Sequence, residues 1–265
     1  MGGLTKAVIL AAGRGTRMRA AAASVDLDAA QESAARLGLK PLIPFGGQPF
    51  IRYVLTALAD AGYGEVCFVV RPGADPIRTH FEECPVTRLA LYFAEQSEPL
   101  GAAHAVLAAE EFAGGDDVAV INADNYYPAG ALRALREVGG NAMIGCRRGA
   151  LLEGNITEDR IAGYALVTTD TEGMLTSIVE KPTAGEVRRR GADALISMTC
   201  WRFTPSIFDA CRAVEPSPRG ELELPDAVRR LRVRVVPMDA TVLDLSRRDD
   251  IPRVGRLLAS HRVDL

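Results

Sequence analysis

Short apolar runs recur along this chain, with stretches of helical spacing between them. Ala7–Leu10, Val66–Val70, Leu89–Phe93 and Val118–Asn122 are rich in branched or aromatic residues, the pattern of buried strands. Phe50–Ala61, Pro76–Glu83 and Ala102–Phe112 lie between them and read as helices. Strands alternating with helices predict βαβ units and a mostly parallel sheet over roughly the first 140 residues.

The second half changes character. Gly163–Thr168, Leu175–Val179 and Ala194–Phe203 read as strands that extend or cap the sheet. Helices at Pro205–Ala213 and Leu224–Leu231 follow, then strands at Val233–Val236 and Thr241–Leu245. An amphipathic helix from about Arg248 to Ser260 completes the pattern. With no internal repeat or disordered linker, the expectation is a single α/β domain over 1–265. It would be a three-layer α/β/α unit whose central sheet is mixed but mostly parallel and Rossmann-like.

Composition narrows the class. Hydrophobic content of 48% and charged content of 25% are ordinary globular values. A net charge of −3 lacks the basic surplus of a nucleic-acid or anionic-membrane binder, so neither partner is expected. No apolar run approaches a bilayer span and no signal-peptide pattern opens the chain. Five scattered cysteines form no CxxC pair, which fits reduced thiols in a cytoplasmic protein. Only Lys6, Lys40 and Lys181 of the 31 basic residues are lysine. Lys40 and Lys181 each precede a proline, and a compact ammonium reaches a single phosphate oxygen where a guanidinium does not fit.

The richest local signal follows the first strand, in Leu10-Ala11-Ala12-Gly13-Arg14-Gly15-Thr16-Arg17-Met18. A glycine-rich turn leaving a strand lets backbone N–H groups approach a phosphate, and Arg17 adds a forked cationic donor. Met18 stands where a dinucleotide fingerprint needs its third glycine, and no Gly-Lys-Ser/Thr triplet makes a P-loop. A phosphate-cradling loop of another kind and a purely structural turn remain open.

Two acids follow the same logic. Asp124 ends the Val118–Asn122 strand and Asp244 sits in Val242-Leu243-Asp244-Leu245. Two carboxylates converging beside a phosphate loop suit Mg²⁺, which takes oxygen ligands and substrate phosphates, while turn capping is the alternative. Ligands in such sheets bind beyond the carboxyl ends of the strands, where the glycine turn and Asp124 both fall. Glu180-Lys181-Pro182 ends another strand, as a functional pair or a surface ion pair. Gln96 and Gly101 could meet a nucleobase edge, and Arg219 a phosphate; each also reads as an ordinary polar loop.

In this order the segments resemble the sugar-1-phosphate nucleotidyltransferases, above all the glucose-1-phosphate thymidylyltransferases with their uridylyl and cytidylyl relatives. The resemblance rests on Leu10–Met18, Lys40-Pro41-Leu42-Ile43-Pro44 with Gln48-Pro49-Phe50, Gln96 to Gly101, Asp124-Asn125, Glu180-Lys181-Pro182 and Pro216–Leu224. It implies a nucleotide-binding half over about 1–140 and a sugar-phosphate half over about 141–265, with a nucleoside triphosphate and a sugar 1-phosphate as partners. By the same resemblance Leu10, Ala11, Ala12, Gly13 and Gly15 form the nucleotide loop, and Gly13, Arg17 and Lys40 hold the triphosphate. Gln96 and Gly101 would read the base, Lys181 and Arg219 position the sugar phosphate, and Tyr164 and Glu180 lie near the sugar. Asp124 and Asp244 would bind Mg²⁺. Alternatives of other kinds are a cytidylyltransferase acting on a non-sugar phosphate and a binding protein without catalysis.

The chain departs from the family pattern in places. Ala123 precedes Asp124 where glycine is usual, and Leu245-Ser246 replaces a glycine-containing turn after Asp244, which makes the second metal ligand the less secure. Ala165 follows Tyr164 where glycine is usual, an expected narrowing of the sugar pocket, and Ile196–Trp201 differs from the usual sugar-contacting strand. The segment from 19 to 39 is longer than the family's loop. Val25–Leu37 reads as a helix capped at Asp26 or Asp28: a lid, a subunit contact in a homo-oligomer, or a solvated insertion.

Overall fold

A computed structural model describes residues 4–20, 25–73 and 75–265. Nine strands form the main sheet. They are β1 (Lys6–Leu10), β2 (Glu65–Val70), β3 (Ala90–Glu95), β4 (Val118–Asn122), β5 (Ala142–Arg147), β6 (Ala165–Thr169), β7 (Leu175–Val179), β8 (Leu195–Phe203) and β9 (Arg234–Met238). β1 lies between β2 and β4, with β3 outside β2, all parallel. β8 runs antiparallel to β4 through Cys200–Phe203 and to β6 through Leu195–Ser197, and β5 lies along its other edge. β9 adds in parallel to β5. The expected mixed, mostly parallel sheet is therefore present, and every antiparallel pair in it includes β7 or β8 of the second half.

Helices cover both faces because the strands are apolar on both sides. Ala7 and Ile9 of β1, with Phe68 and Ile121, pack beneath α2 (Phe50–Asp60), α5 (Ala129–Glu137) and α8 (Asp250–Leu258). Val8, Cys67, Val69 and Val120 face the other way, onto α4 (Ala102–Leu107), α6 (Ser206–Arg212) and α7 (Leu224–Val228). Alternate residues of one strand point to opposite faces, so a continuous apolar run supplies both layers. Two further helices, α1 (Ala29–Leu37) and α3 (Pro76–Glu83), flank the first half.

Several expected elements shift. Ala102–Phe112 is not one helix: α4 ends at Leu107 and a separate turn spans Glu110–Ala113. The expected strand Thr241–Leu245 shrinks to Leu243–Asp244, which pairs with Asn125–Tyr126 in a two-residue ribbon outside the main sheet. That ribbon brings Asp244 beside the end of β4. α5 and β5 occupy 129–147, to which the sequence reading assigned no element; the buried face of α5 is Ala131, Leu132 and Leu135. β5 runs unbroken through Gly145, where a side chain has no space: a Cβ there would lie 2.7 Å from Val235 Cγ1 of β9.

Candidate active site

β1 ends at Leu10, and the chain turns through Ala11–Gly15 into a short helix, Thr16–Arg19. Gly15 has φ +61°, and a Cβ on it would lie 2.4 Å from the Gly38 carbonyl oxygen. Glycine is obligatory there. Gly13 differs, since a Cβ would meet nothing within 4 Å, so its openness faces free space.

Two cavities open on this loop. The larger, about 700 Å³, is lined by Leu10, Ala11, Ala12, Gly13, Gly15, Lys40, Gln96, Gly101, Asp124 and Arg219. The smaller, about 350 Å³, is lined by Arg17, Lys40, Asp124, Tyr164 and Asp244, with Met198, Thr199 and Ser246. Gly15, Thr16, Lys40, Asn122 and Asp124 belong to both, so the cavities share one wall. Glu180 and Lys181 line neither. Lys181 is exposed with φ +48°. Near it the Glu180 carboxyl, crowded by protein although the residue surface stays open, is raised by that burial and then by Glu223. A separate cavity of about 500 Å³ beside Tyr53, Tyr126 and His261 gathers none of the motif residues.

The Gln96–Gly101 end of the larger cavity is tightly built. Gln96 is buried and its Nε2 donates to the Gly101 carbonyl at 3.0 Å; the same nitrogen lies 3.4 Å from His104 Nδ1. Gly101 has φ +106°, and a Cβ would fall 2.7 Å from the Leu222 carbonyl oxygen. Leu222 N–H donates to Leu100 O at 2.6 Å and Leu222 O accepts from Ala103 N–H at 3.0 Å, which holds the Arg219–Glu221 loop over the larger cavity. Arg219 thus lines the larger cavity and not the smaller one, and Glu223 accepts from its guanidinium at 2.6 Å.

The shared wall is charged. Lys40 Nζ lies 2.9 Å from Asp124 Oδ2. Asn122, which sequence reasoning passed over, lines both cavities and donates from Nδ2 to Asn125 Oδ1 at 3.2 Å. Asn125 Nδ2 in turn donates to Asp244 Oδ1 at 3.0 Å. Burial first, and then the charge of Asp124, raise the Asp244 carboxyl. Arg160 and Asn155 also escaped the sequence reading: Arg160 pairs with Asp244 and Asp250, and Asn155 brackets the Asp244 backbone, accepting its N–H at 2.9 Å and donating to its carbonyl at 2.6 Å. No local spacing signals them, because their partners lie 84 to 95 residues away.

For a divalent ion, Asp124 offers an oxygen donor on an accessible wall, with a side chain 28% exposed and a single lysine partner. Asp244 is 4% exposed and already accepts from Arg160, Tyr164 and Asn125. The donor chemistry therefore fits a cation at Asp124, with remaining ligands drawn from phosphate. Among the described residues no cluster of three or more metal-ligating side chains occurs.

Three expectations about the surroundings change. Ala165 does not narrow the smaller cavity: it is buried in the layer with Trp201 and Val167, because it faces opposite to Tyr164. Instead Met198 and Thr199 shape that wall, and Thr199 sits at φ +57° between Ser197 and Trp201, where the β8 register shifts. The segment from 19 to 39, of which 21–24 lie outside the described residues, is tied to the body at a few points while most of its helix stays exposed. α1 starts at Asp28 with a reciprocal Asp28–Gln31 cap, not at Asp26. Gln31 Nε2 donates to Pro44 O at 3.0 Å, Arg248 pairs with Glu32, and Gly38 reaches the larger cavity.

Known proteins agree with this arrangement. Residues 6–244 match the model of the nucleotidyl transferase family. A glucose-1-phosphate thymidylyltransferase of Streptomyces antibioticus is 30% identical over 85% of this chain, which spans 57% of that protein's length. A UTP–glucose-1-phosphate uridylyltransferase, AglF, of Haloferax volcanii is 28% identical over 90% of this chain and 88% of that one. A solved structure of a UDP-glucose pyrophosphorylase complexed with UDP-glucose superposes with a TM-score of 0.74 at 17% identity, covering 98% of this chain and 100% of that one, and so shares the fold. No helix among the described residues is long and apolar enough to cross a membrane. With the family matched from the first strand to Asp244, the chain belongs to the nucleotidyl transferase family.

Proposed function

We propose that this protein transfers a nucleotidyl group from a nucleoside triphosphate to a sugar 1-phosphate and releases pyrophosphate. The observation that carries this reading is the wall shared by the two cavities, built from Gly15, Thr16, Lys40, Asn122 and Asp124. Two substrates seated on either side would meet over a lysine, a carboxylate and a glycine turn. The smaller cavity, with the hydroxyls of Thr16, Tyr164, Thr199 and Ser246, suits a polyhydroxylated ring.

The reaction is an in-line displacement. A phosphate oxygen of the sugar 1-phosphate forms a bond to the α-phosphorus, and the bond from that phosphorus to the bridging oxygen of the β-phosphate breaks. A sugar phosphate is nucleophilic at neutral pH, so no general base is needed, and rate comes from positioning and charge neutralisation. Backbone N–H groups of the Ala11–Gly15 turn, with Arg17 and Lys40, would hold the triphosphate and the departing pyrophosphate. Asp124 would hold a divalent cation, Mg²⁺ by its oxygen chemistry, and that cation would neutralise charge on the α-phosphate. Gln96 spends its amide N–H on Gly101 O, so its Oε1 is left to accept from an imide N–H such as that of uracil or thymine. Soluble substrates and five free thiols support a cytoplasmic location.

The test is pyrophosphate release with Mg²⁺, pairing dTTP, UTP, CTP, ATP and GTP with a panel of sugar 1-phosphates led by glucose 1-phosphate. Release that requires both substrates, highest with UTP or dTTP, is expected. Nucleotide binding without release across the whole panel rejects the reading.

A further inference from the structure

Helix α1 supplies no group to the transfer chemistry, yet the chain at its C-terminal end reaches the larger cavity. Gly38 caps α1 at φ +73° and lines that cavity against the Ala11–Gly15 turn. The two backbones touch. A Cβ on Gly15 would lie 2.4 Å from the Gly38 carbonyl oxygen and 2.9 Å from its Cα, and one on Gly38 would lie 3.2 Å from the Arg14 carbonyl oxygen. Main chain packed on main chain has no side chain that could rotate away, so the shape of the turn depends on where α1 ends.

Lys40 depends on the same helix. Only Leu39 separates it from the cap, and the N–H groups of Gly38 and Leu39 donate back to Ala35 O and Ala34 O, each at 3.0 Å. On the far side of Lys40, Gln31 Nε2 of α1 donates to Pro44 O at 3.0 Å. The stretch that carries Lys40 is thus fastened to α1 before and after it.

Arg248, on the turn that leads into α8, fixes α1 in turn. Its guanidinium pairs with Glu32 of α1, and its Nε donates to Met18 O at 3.1 Å. Met18 belongs to the one-turn helix Thr16–Arg19, and the last carbonyls of a helix have no partner within it. One side chain, 12% exposed, therefore clasps the residues that follow the glycine turn to the helix whose cap presses on that turn. Arg248 lines neither cavity.

We propose that α1 is a fixed part of the wall of the larger cavity and that Arg248 is its positioning residue. By clasping Glu32 and Met18 O together, Arg248 sets the Gly15 turn and Lys40 in register for a triphosphate. The inference deepens the nucleotidyl-transfer reading and rests on it in one point, that this turn and Lys40 hold the phosphates. The pair with Glu32, whose side chain is 48% exposed, adds at most about 1 kcal/mol to stability. Its loss should therefore show in nucleotide affinity more than in melting.

The test compares variants of the full chain by calorimetry, with Mg²⁺ and whichever of UTP, dTTP, CTP, ATP and GTP the parent binds most tightly, and by steady-state pyrophosphate release. Arg248→Met is expected to weaken nucleotide binding about fivefold or more, because small misplacements of phosphate-holding groups are costly. The KM of the sugar 1-phosphate should change by less than about twofold, and the melting temperature should fall by less than about 4 °C. Glu32→Gln should act in the same direction, more weakly, and add nothing in the Arg248→Met background, since both remove one link. Unchanged nucleotide affinity in Arg248→Met overturns the inference, and so does an equal loss for both substrates. A Glu32→Gln effect that persists in full in the Arg248→Met background overturns it as well. If Arg248→Met fails to fold, Glu32→Gln decides, and unchanged affinity in it overturns the inference. A parent that binds nucleotide without releasing pyrophosphate rejects the transfer reading alone, and the binding comparison still decides the inference. A parent that binds none of the five nucleotides overturns both.

Discussion

Lys40 Nζ and Asp124 Oδ2 meet at 2.9 Å on the wall common to the two cavities, although 84 residues separate them in sequence. In the free protein each neutralises the other. On the proposed reading, an arriving triphosphate would draw the ammonium to a phosphate oxygen and release the carboxylate for a cation, so that an exchange of partners at one wall would couple the arrival of the two charges.

Lys40→Met tests that exchange. Removing one preorganised cation from a charge-developing step costs about 10²–10³ in turnover. The loss is expected in kcat more than in the KM of the sugar phosphate. Lys40→Arg is not expected to restore the rate, since a planar fork does not replace a compact ammonium at a confined site. Steady-state pyrophosphate release measures both, and a Lys40→Arg enzyme of parental activity would contradict the assignment.

Gly101→Ala probes the end of the larger cavity that is proposed to read the base. Its φ of +106° and ψ of −178° belong to a region essentially reserved for glycine, and the added methyl meets Leu222 O at 2.7 Å. Such strain costs about 1–3 kcal/mol. The Arg219–Glu221 loop must shift to relieve it. The expected outcome is a lower melting temperature together with weaker nucleotide binding, read by calorimetry. Parental nucleotide affinity would show that the loop does not touch the ligand.

Asn155→Ala addresses the wall of the smaller cavity behind Asp244. Asn155 is buried and pairs with both the N–H and the carbonyl of Asp244. Each buried backbone group left without a partner costs about 1–3 kcal/mol, so the two together should lower stability by about 2–6 kcal/mol. Urea unfolding should show this as a lower midpoint at unchanged slope. A change below about 0.5 kcal/mol would mean that the Leu243–Asp244 ribbon holds itself in place.

A pH effect on stability is expected from His80. Burial first, and then the Arg52 charge, lower its pKa below the ordinary 6.5, with Glu83 opposing. The unfolded chain therefore takes up a proton before the folded one does. Stability from this group is complete above about pH 6.5 and is lost as the pH falls from there toward the folded pKa. Melting temperatures measured from pH 8 down to pH 5 should decline less in His80→Asn than in the parent. Parallel curves would remove His80 from the account.

Much of the fold was legible because its strands are pure apolar runs. Val66–Val70 and Val118–Asn122 appear as read, since a strand covered on both faces needs no alternation and admits few polar residues. β5 was not legible, because Gly145, which leaves room for Val235 on the neighbouring strand, interrupts its apolar run in the sequence. The 102–112 segment carries helical spacing throughout, yet the helix ends at Leu107 and a separate turn begins at Glu110.

At the site, the glycine turn, Lys40, Gln96, Gly101, Asp124 and Arg219 line one cavity, while Lys181, which the resemblance groups with Arg219, lines neither. Local sequence determines such residues, because a phosphate-approaching turn or a strand-end carboxylate needs particular side chains at fixed short spacing. The tertiary structure alone decided the rest. It paired Lys40 with Asp124, placed Asn122 between two cavities, and set Arg160 between Asp244 and Asp250. Those choices depend on which chain ends the sheet brings together. A charge buried by distant segments takes whatever partner the packing supplies, and no spacing along the chain records which one that is.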